Sequence, residues 1–207
     1  KGINDVYFSR YPFQIFLIVV FYIPTKALNV LHVKIGTGLL LIMINDVFII
    51  SSIILSFFAV KKMSCWNTAF FFLILLSLFS PLLLYSPVYY TDTSSMFFIA
   101  ISFLMMTFLF KAKNKISKSC CAVAISISMF FAFNIKATAI IIFIAFLFCY
   151  LFLSNNKARD KIKIALILLI PFIALNMAWS SARNEEIDQQ YTFPITHWIM
   201  MGTAEYG

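Results

Sequence analysis

The sequence predicts an all-α fold, a polytopic bundle of transmembrane helices, and three observations predict it. Hydrophobic residues make up 62% of the 207-residue chain, charged residues make up 12%, and the mean hydropathy is +0.95. A soluble domain carries about 25% charged residues, and no water-facing surface can be built from so few. The charges are clumped into short runs, and several apolar stretches between them reach the roughly 20 residues that cross a hydrocarbon core as helix. No charged-then-apolar leader of the signal-peptide kind opens the chain. Lys1 and Tyr206-Gly207 bound no recognisable element, so further sequence is expected at both ends.

Roughly six or seven hydrophobic segments follow one another. The first runs from Pro12 to about Val33 and is interrupted by Pro24, Lys26 and His32. The second, 37–60, is apolar except for Asn45-Asp46, which reads best as a polar contact between helices. A third covers 66–88 with Pro81 and Pro87 near its end, and a fourth covers about 94–110. The stretch 119–153 is too long for one crossing and carries Asn134-Ile135-Lys136 at its middle, which predicts two short helices with a turn there. The last segment, 164–180, leads into a polar tail, giving a bundle over 1–180 and the start of an external loop over 181–207.

The net charge of +8 reports topology rather than nucleic-acid binding, because the basic residues sit beside apolar segments. Lys61-Lys62, the run Lys111 to Lys118 and the run Lys157 to Lys163 have the placing of cytoplasmic loops. The loop Tyr89 to Ser95, the turn at Lys136 and the tail from Ser181 are then external, and Glu185, Glu186 and Asp188 make that tail acidic. By this parity the N-terminal segment either crosses from a cytoplasmic end or is juxtamembrane or re-entrant. Pro24 and Lys26 favour the second choice, with a bend or break near Pro24, and the bundle then has about six crossings plus that segment. Cys65, Cys120, Cys121 and Cys149 have neither disulfide-framework nor zinc-site spacing. No cofactor is required by these residues, and participation of a divalent metal is left open.

Four places carry candidate chemistry. The loop Ser86 to Ser95 sets Asp92 at a helix mouth among Tyr89, Tyr90 and several hydroxyls, a set suited to sugar hydroxyls; the same residues also make an ordinary helix cap and an interfacial aromatic belt. At the N-terminus, Tyr7 to Gln14 places Arg10, Tyr11 and Gln14 where an apolar helix starts. This set either binds a lipid-linked phosphate through the guanidinium or anchors the helix at the interface. Lys136 in an apolar stretch is a functional candidate, with snorkelling to the surface as the alternative. His197 beside Trp198 is an acid, a phosphate donor or an interfacial residue.

The order of these motifs resembles the GT-C superfamily of membrane glycosyltransferases, and most closely its protein O-mannosyltransferase and aminoarabinose transferase branch with Gram-positive relatives. Tyr11-Pro12 opens an apolar helix, Tyr90-Thr91-Asp92 follows two further segments, Lys136-Ala137-Thr138 forms a turn, and Pro194-Ile195-Thr196-His197-Trp198-Ile199-Met200-Met201-Gly202 follows the last crossing. The resemblance spans nearly the whole chain, and its specificity lies in the order, since each motif is short. It implies a transferase in a bacterial plasma membrane that takes a sugar from a polyprenyl-phosphate donor on the outer face and passes it to an envelope glycan or protein. The chain departs from the family pattern in one respect: the principal catalytic aspartate of the family precedes the Tyr-Pro motif and would fall before Lys1, leaving Asp5 as the only acid nearby. Residues 1–207 alone are therefore expected to be inactive. Asp92 matches the family's second external acid, while Arg10, Tyr11, Gln14, Tyr90, Lys136 and His197 are implied at the donor phosphate. Membrane lipid is the surrounding partner and nucleic acid is not one. A polysaccharide polymerase or flippase, or a solute transporter, shares the apolar bundle and stays open as the alternative.

Overall fold

The computed structural model describes residues 13–30, 36–88 and 91–184. Among these residues every regular element is a helix. In chain order they are α1 (Phe13–Val30), α2 (Thr37–Met63), α3 (Trp66–Ser77), α4 (Ser80–Leu84), α5 (Thr91–Lys111), α6 (Lys115–Ile135), α7 (Ala139–Leu153) and α8 (Ala158–Asn184). Four stretches are long and apolar enough to cross a membrane, namely Gly38–Met63, Thr91–Lys111, Lys115–Ile135 and Ala158–Arg183. The protein is a membrane protein, and the distribution of its side chains agrees. Phe71, Phe152 and Ile170 face outward, while Asn45, Thr93, Ser102, Ser126 and Asn134 are buried between helices. Apolar solvent outside and hydrogen-bonded polar groups inside is the arrangement that hydrocarbon imposes.

All the basic loops gather at one end of the bundle. Lys111 donates to the Lys62 carbonyl, Lys118 to Asn156 Oδ1 at 2.6 Å, and Lys161 to the Leu151 carbonyl at 2.7 Å. At the opposite end Asn45 of α2 holds the turn after α4, about 25 Å from Lys62 at 1.5 Å per helical residue. The α3–α4 pair therefore returns the chain over most of a bilayer. The segment 66–88 holds two helices: the first ends at Ser77, the chain turns through Leu78 and Phe79, and the second starts at Ser80. Pro81 has no N–H to give to an i−4 carbonyl, so it ends one helix and opens the next, where proline fits. Phe79 N–H bonds the Leu76 carbonyl at 3.2 Å across the gap.

The predicted break in 119–153 is present. Lys136 caps α6 in extended conformation (φ −143°, ψ 112°), and its carbonyl accepts from Ala139 N–H at 3.0 Å to start α7. Helices α6 and α8 run parallel, because Ser126 bonds the Leu168 carbonyl at 2.6 Å and, farther along both, Asn134 bonds Asn176 at 2.8 Å. The last helix continues to Asn184, four residues past the expected end at 180. Cysteines placed at Asn114 and Asn184 in a cysteine-free background should react with a membrane-impermeant reagent from opposite sides. Labelling from one side at both positions would refute this placing of the two ends.

Of the bend or break expected near Pro24, the break is absent, since α1 runs as one helix from Phe13 to Val30. The Thr25 hydroxyl, next to the proline, donates to the Phe21 and Tyr22 carbonyls at 3.0 and 2.7 Å. Phe16 lies 5.5 Å from the Phe131 ring and 5.0 Å from Trp179, while Phe21 lies 6.1 Å from Phe48. Phe131 stacks on Phe98 at 5.0 Å, and Phe98 meets Phe48 at 6.0 Å. Phe16 and Phe21, about 7.5 Å apart along the helix axis, thus dock on one aromatic layer in the half of the bundle away from the basic loops. The expectation that Tyr11 and Gly36 share a side involves Tyr11, which is outside the described residues.

Candidate functional site

Polar side chains converge at the end opposite the basic loops, where the first turn of α5 meets α2 and the end of α6. Successive residues of a helix point about 100° apart, so Asp92 and Thr93 face different neighbours. Thr93 turns toward α2 and donates to Asn45 Oδ1 at 2.6 Å. Asp92 turns toward α6 and forms an ion pair with Lys136. The extended cap conformation at the end of α6 is what frees the lysine side chain to reach across. Its side chain is 33% exposed and that of Asp92 38% exposed, so the pair sits at a mouth that water reaches. Burial lowers the Lys136 ammonium from its ordinary value, and the adjacent carboxylate favours the charged form.

Asn45 organises the floor of this mouth. It is fully buried, and its amide donates to the Tyr85, Ser86 and Val88 carbonyls at 2.9, 3.0 and 3.4 Å. Next to it, the Ser86 hydroxyl donates to Asp46 Oδ1 at 2.5 Å. Asn45 is therefore a contact between helices, as the sequence indicated, while Asp46 meets the turn before α5. Asn45 fixes that turn and, through Thr93, the rotation of α5 that aims Asp92 at Lys136.

A second polar cluster lies on the other side of α6. Asn134 donates to the Phe130 carbonyl at 2.9 Å and to Asn176 Oδ1, and Asn176 donates to the Phe172 carbonyl at 2.8 Å. These asparagines line a cavity of about 420 Å³ between α6 and α8 that also takes in Trp179, Ser180 and Arg183.

Of the site residues expected from sequence, Asp92 and Lys136 come together. Arg10, Tyr11, Tyr90 and His197 lie outside the described residues, as does the side chain of Gln14. Asn176 and Arg183 went unnoticed because Arg183 reads as part of a polar tail. The signal that would have found them is helical spacing, since Asn176, Ser180 and Arg183 fall at i, i+4 and i+7 on one face of α8. Among the described residues no group of three or more His, Cys, Asp or Glu side chains is placed to hold a metal ion, and the four cysteines are free. No family model, curated protein or solved structure matches this chain.

Proposed function

We propose that the protein is a GT-C-type membrane glycosyltransferase using a polyprenyl-phosphate sugar donor on the outer face of a bacterial plasma membrane, in envelope glycan or glycoprotein assembly. The observation that carries this reading is the meeting of Asp92 and Lys136, 44 residues apart, at the end of the bundle opposite the basic loops. They come from the Tyr-Thr-Asp and Lys-x-Thr motifs on which the resemblance rests. With the basic loops cytoplasmic, the mouth is external. The return by α3–α4 and the shorter α7, added to the four long helices, makes about six crossings, with α1 as a juxtamembrane element over the aromatic layer.

Chemically, the acceptor oxygen attacks the anomeric carbon as the bond from that carbon to the donor phosphate breaks. The acceptor proton passes to a carboxylate, and the leaving phosphate takes up negative charge. Lys136 stabilises that charge, with Arg10 and His197 as its helpers in the resemblance. Without substrate, Asp92 and Lys136 neutralise each other. An arriving phosphate competes for the ammonium and releases Asp92 to orient the acceptor hydroxyl.

The intact protein in proteoliposomes, given radiolabelled polyprenyl-phosphate sugars and an envelope extract as acceptor, should release polyprenyl phosphate and label the acceptor. Failure with every donor, together with saturable counterflow of a free solute, would replace this reading with a transporter.

A further inference from the structure

The groove between α6 and α8 has a chemistry of its own, separate from the Asp92–Lys136 mouth. Arg183 lies in the last turn of α8, and its Nε is buried without a hydrogen-bond partner among the described residues. A guanidinium donor hidden from water and left without an acceptor is costly, which makes an incoming acceptor favourable. Among the described residues no carboxylate lines the cavity, and the ion pair found is that of Lys136 with Asp92. Among the described residues the site therefore carries the positive charge of Arg183 and no counter-ion. Beside the arginine are the Ser180 hydroxyl and the Asn176 amide. Deeper in the bundle the lining becomes apolar, with Met177, Ile173 and Phe172, the last about 17 Å below Arg183 along the helix.

A groove cationic at the level of a helix end and apolar one to three turns below matches an amphiphile with an anionic head. Guanidinium pairs with phosphate in bidentate fashion, and the end of a membrane-crossing helix lies at headgroup depth. Trp179 at the same level suits that interface. We propose that the α6–α8 groove binds an anionic phospholipid of the surrounding leaflet, with Arg183 on its phosphate and one acyl chain laid over Met177, Ile173 and Phe172. This holds whether or not the protein transfers sugar, since it uses neither Asp92 nor Lys136.

Native mass spectrometry of the intact protein in mixed micelles reads it directly, with phosphatidylglycerol, phosphatidylcholine and inorganic phosphate as probes. Phosphatidylglycerol should be retained about 10-fold better than phosphatidylcholine, and Arg183→Gln should erase that preference while Arg183→Lys keeps part of it. Met177→Trp, which fills the groove without touching the charge, should expel the lipid and serves as the second variant if Arg183→Gln does not fold. Three results would overturn the proposal: equal retention of both lipids, unchanged preference in Arg183→Gln with retention also unchanged in Met177→Trp, or displacement by millimolar inorganic phosphate, which would mark a free-anion site.

Discussion

Asp92→Asn in the intact protein is expected to lower sugar transfer about 10²-fold, the loss that follows when a reacting group is misplaced by about 1 Å, while the protein stays folded. The ion pair with Lys136 is about one-third exposed at each partner. A pair that open to water contributes about 1 kcal/mol or less, so the melting temperature should move by only about 2–4 °C. An ion pair that ties two helices and one that serves a reaction differ in what a charge exchange does. In the double variant Asp92→Lys with Lys136→Asp, opposite charges still face each other, and the melting temperature should return toward wild type. Transfer should not return, because the carboxylate then starts from α6 and the ammonium from α5, on the wrong sides of the acceptor and the leaving phosphate. Wild-type transfer by Asp92→Asn or by the exchanged pair would reduce Asp92 to a tie between α5 and α6.

Asn45→Leu should have the largest effect on stability. The leucine removes the acceptor of the Thr93 hydroxyl and the donor shared by the Tyr85, Ser86 and Val88 carbonyls. The Ser86 and Val88 carbonyls lie in a turn with no helical ladder to fall back on, whereas the Tyr85 carbonyl still accepts from Val88 N–H at 3.2 Å. The expected loss is about 2–4 kcal/mol, from about 1–3 kcal/mol for each buried group left without a partner, with partial relaxation. Ser126→Ala is the contrast. Ser126 donates to the Ala122 and Leu168 carbonyls, both inside helices that keep their backbone bonds, so its removal should cost about 0.6 kcal/mol, the usual worth of such bonds in membrane bundles. Unfolding in mixed micelles against increasing SDS measures both variants. Equal midpoints for Asn45→Leu and Ser126→Ala would show that the turn before α5 is held by something other than Asn45.

What could be read from the sequence was whatever depends on one segment at a time. Transfer into hydrocarbon is close to a sum over the residues of a segment, so composition alone identified a helical membrane bundle. The same additivity placed the basic loops at one end and divided 119–153 at Asn134-Ile135-Lys136, since a lysine in a long apolar stretch has to reach an interface or a counter-ion. Asn45 was legible as a contact between helices for a similar reason: a buried amide with no partner on its own helix has to find one on another. The restart of α4 at Ser80 followed a local rule too, the missing amide hydrogen of Pro81, but the apolar residues on both sides concealed it.

Which polar residues meet was settled only by the tertiary structure. Helices apolar on nearly every face, such as α5 and α8, carry little pattern to say which side turns inward. The rotation of each about its axis is fixed by its neighbours. Thr93 on Asn45 sets the rotation of α5 and so the direction of Asp92, while the Asn134–Asn176 bond sets α8 against α6 and turns Arg183 toward the groove between them. Bonds of this kind join residues some 40 positions apart in the chain. They form because hydrocarbon offers no other partner to a buried polar group, and that is a constraint on the assembled bundle rather than on any one of its segments.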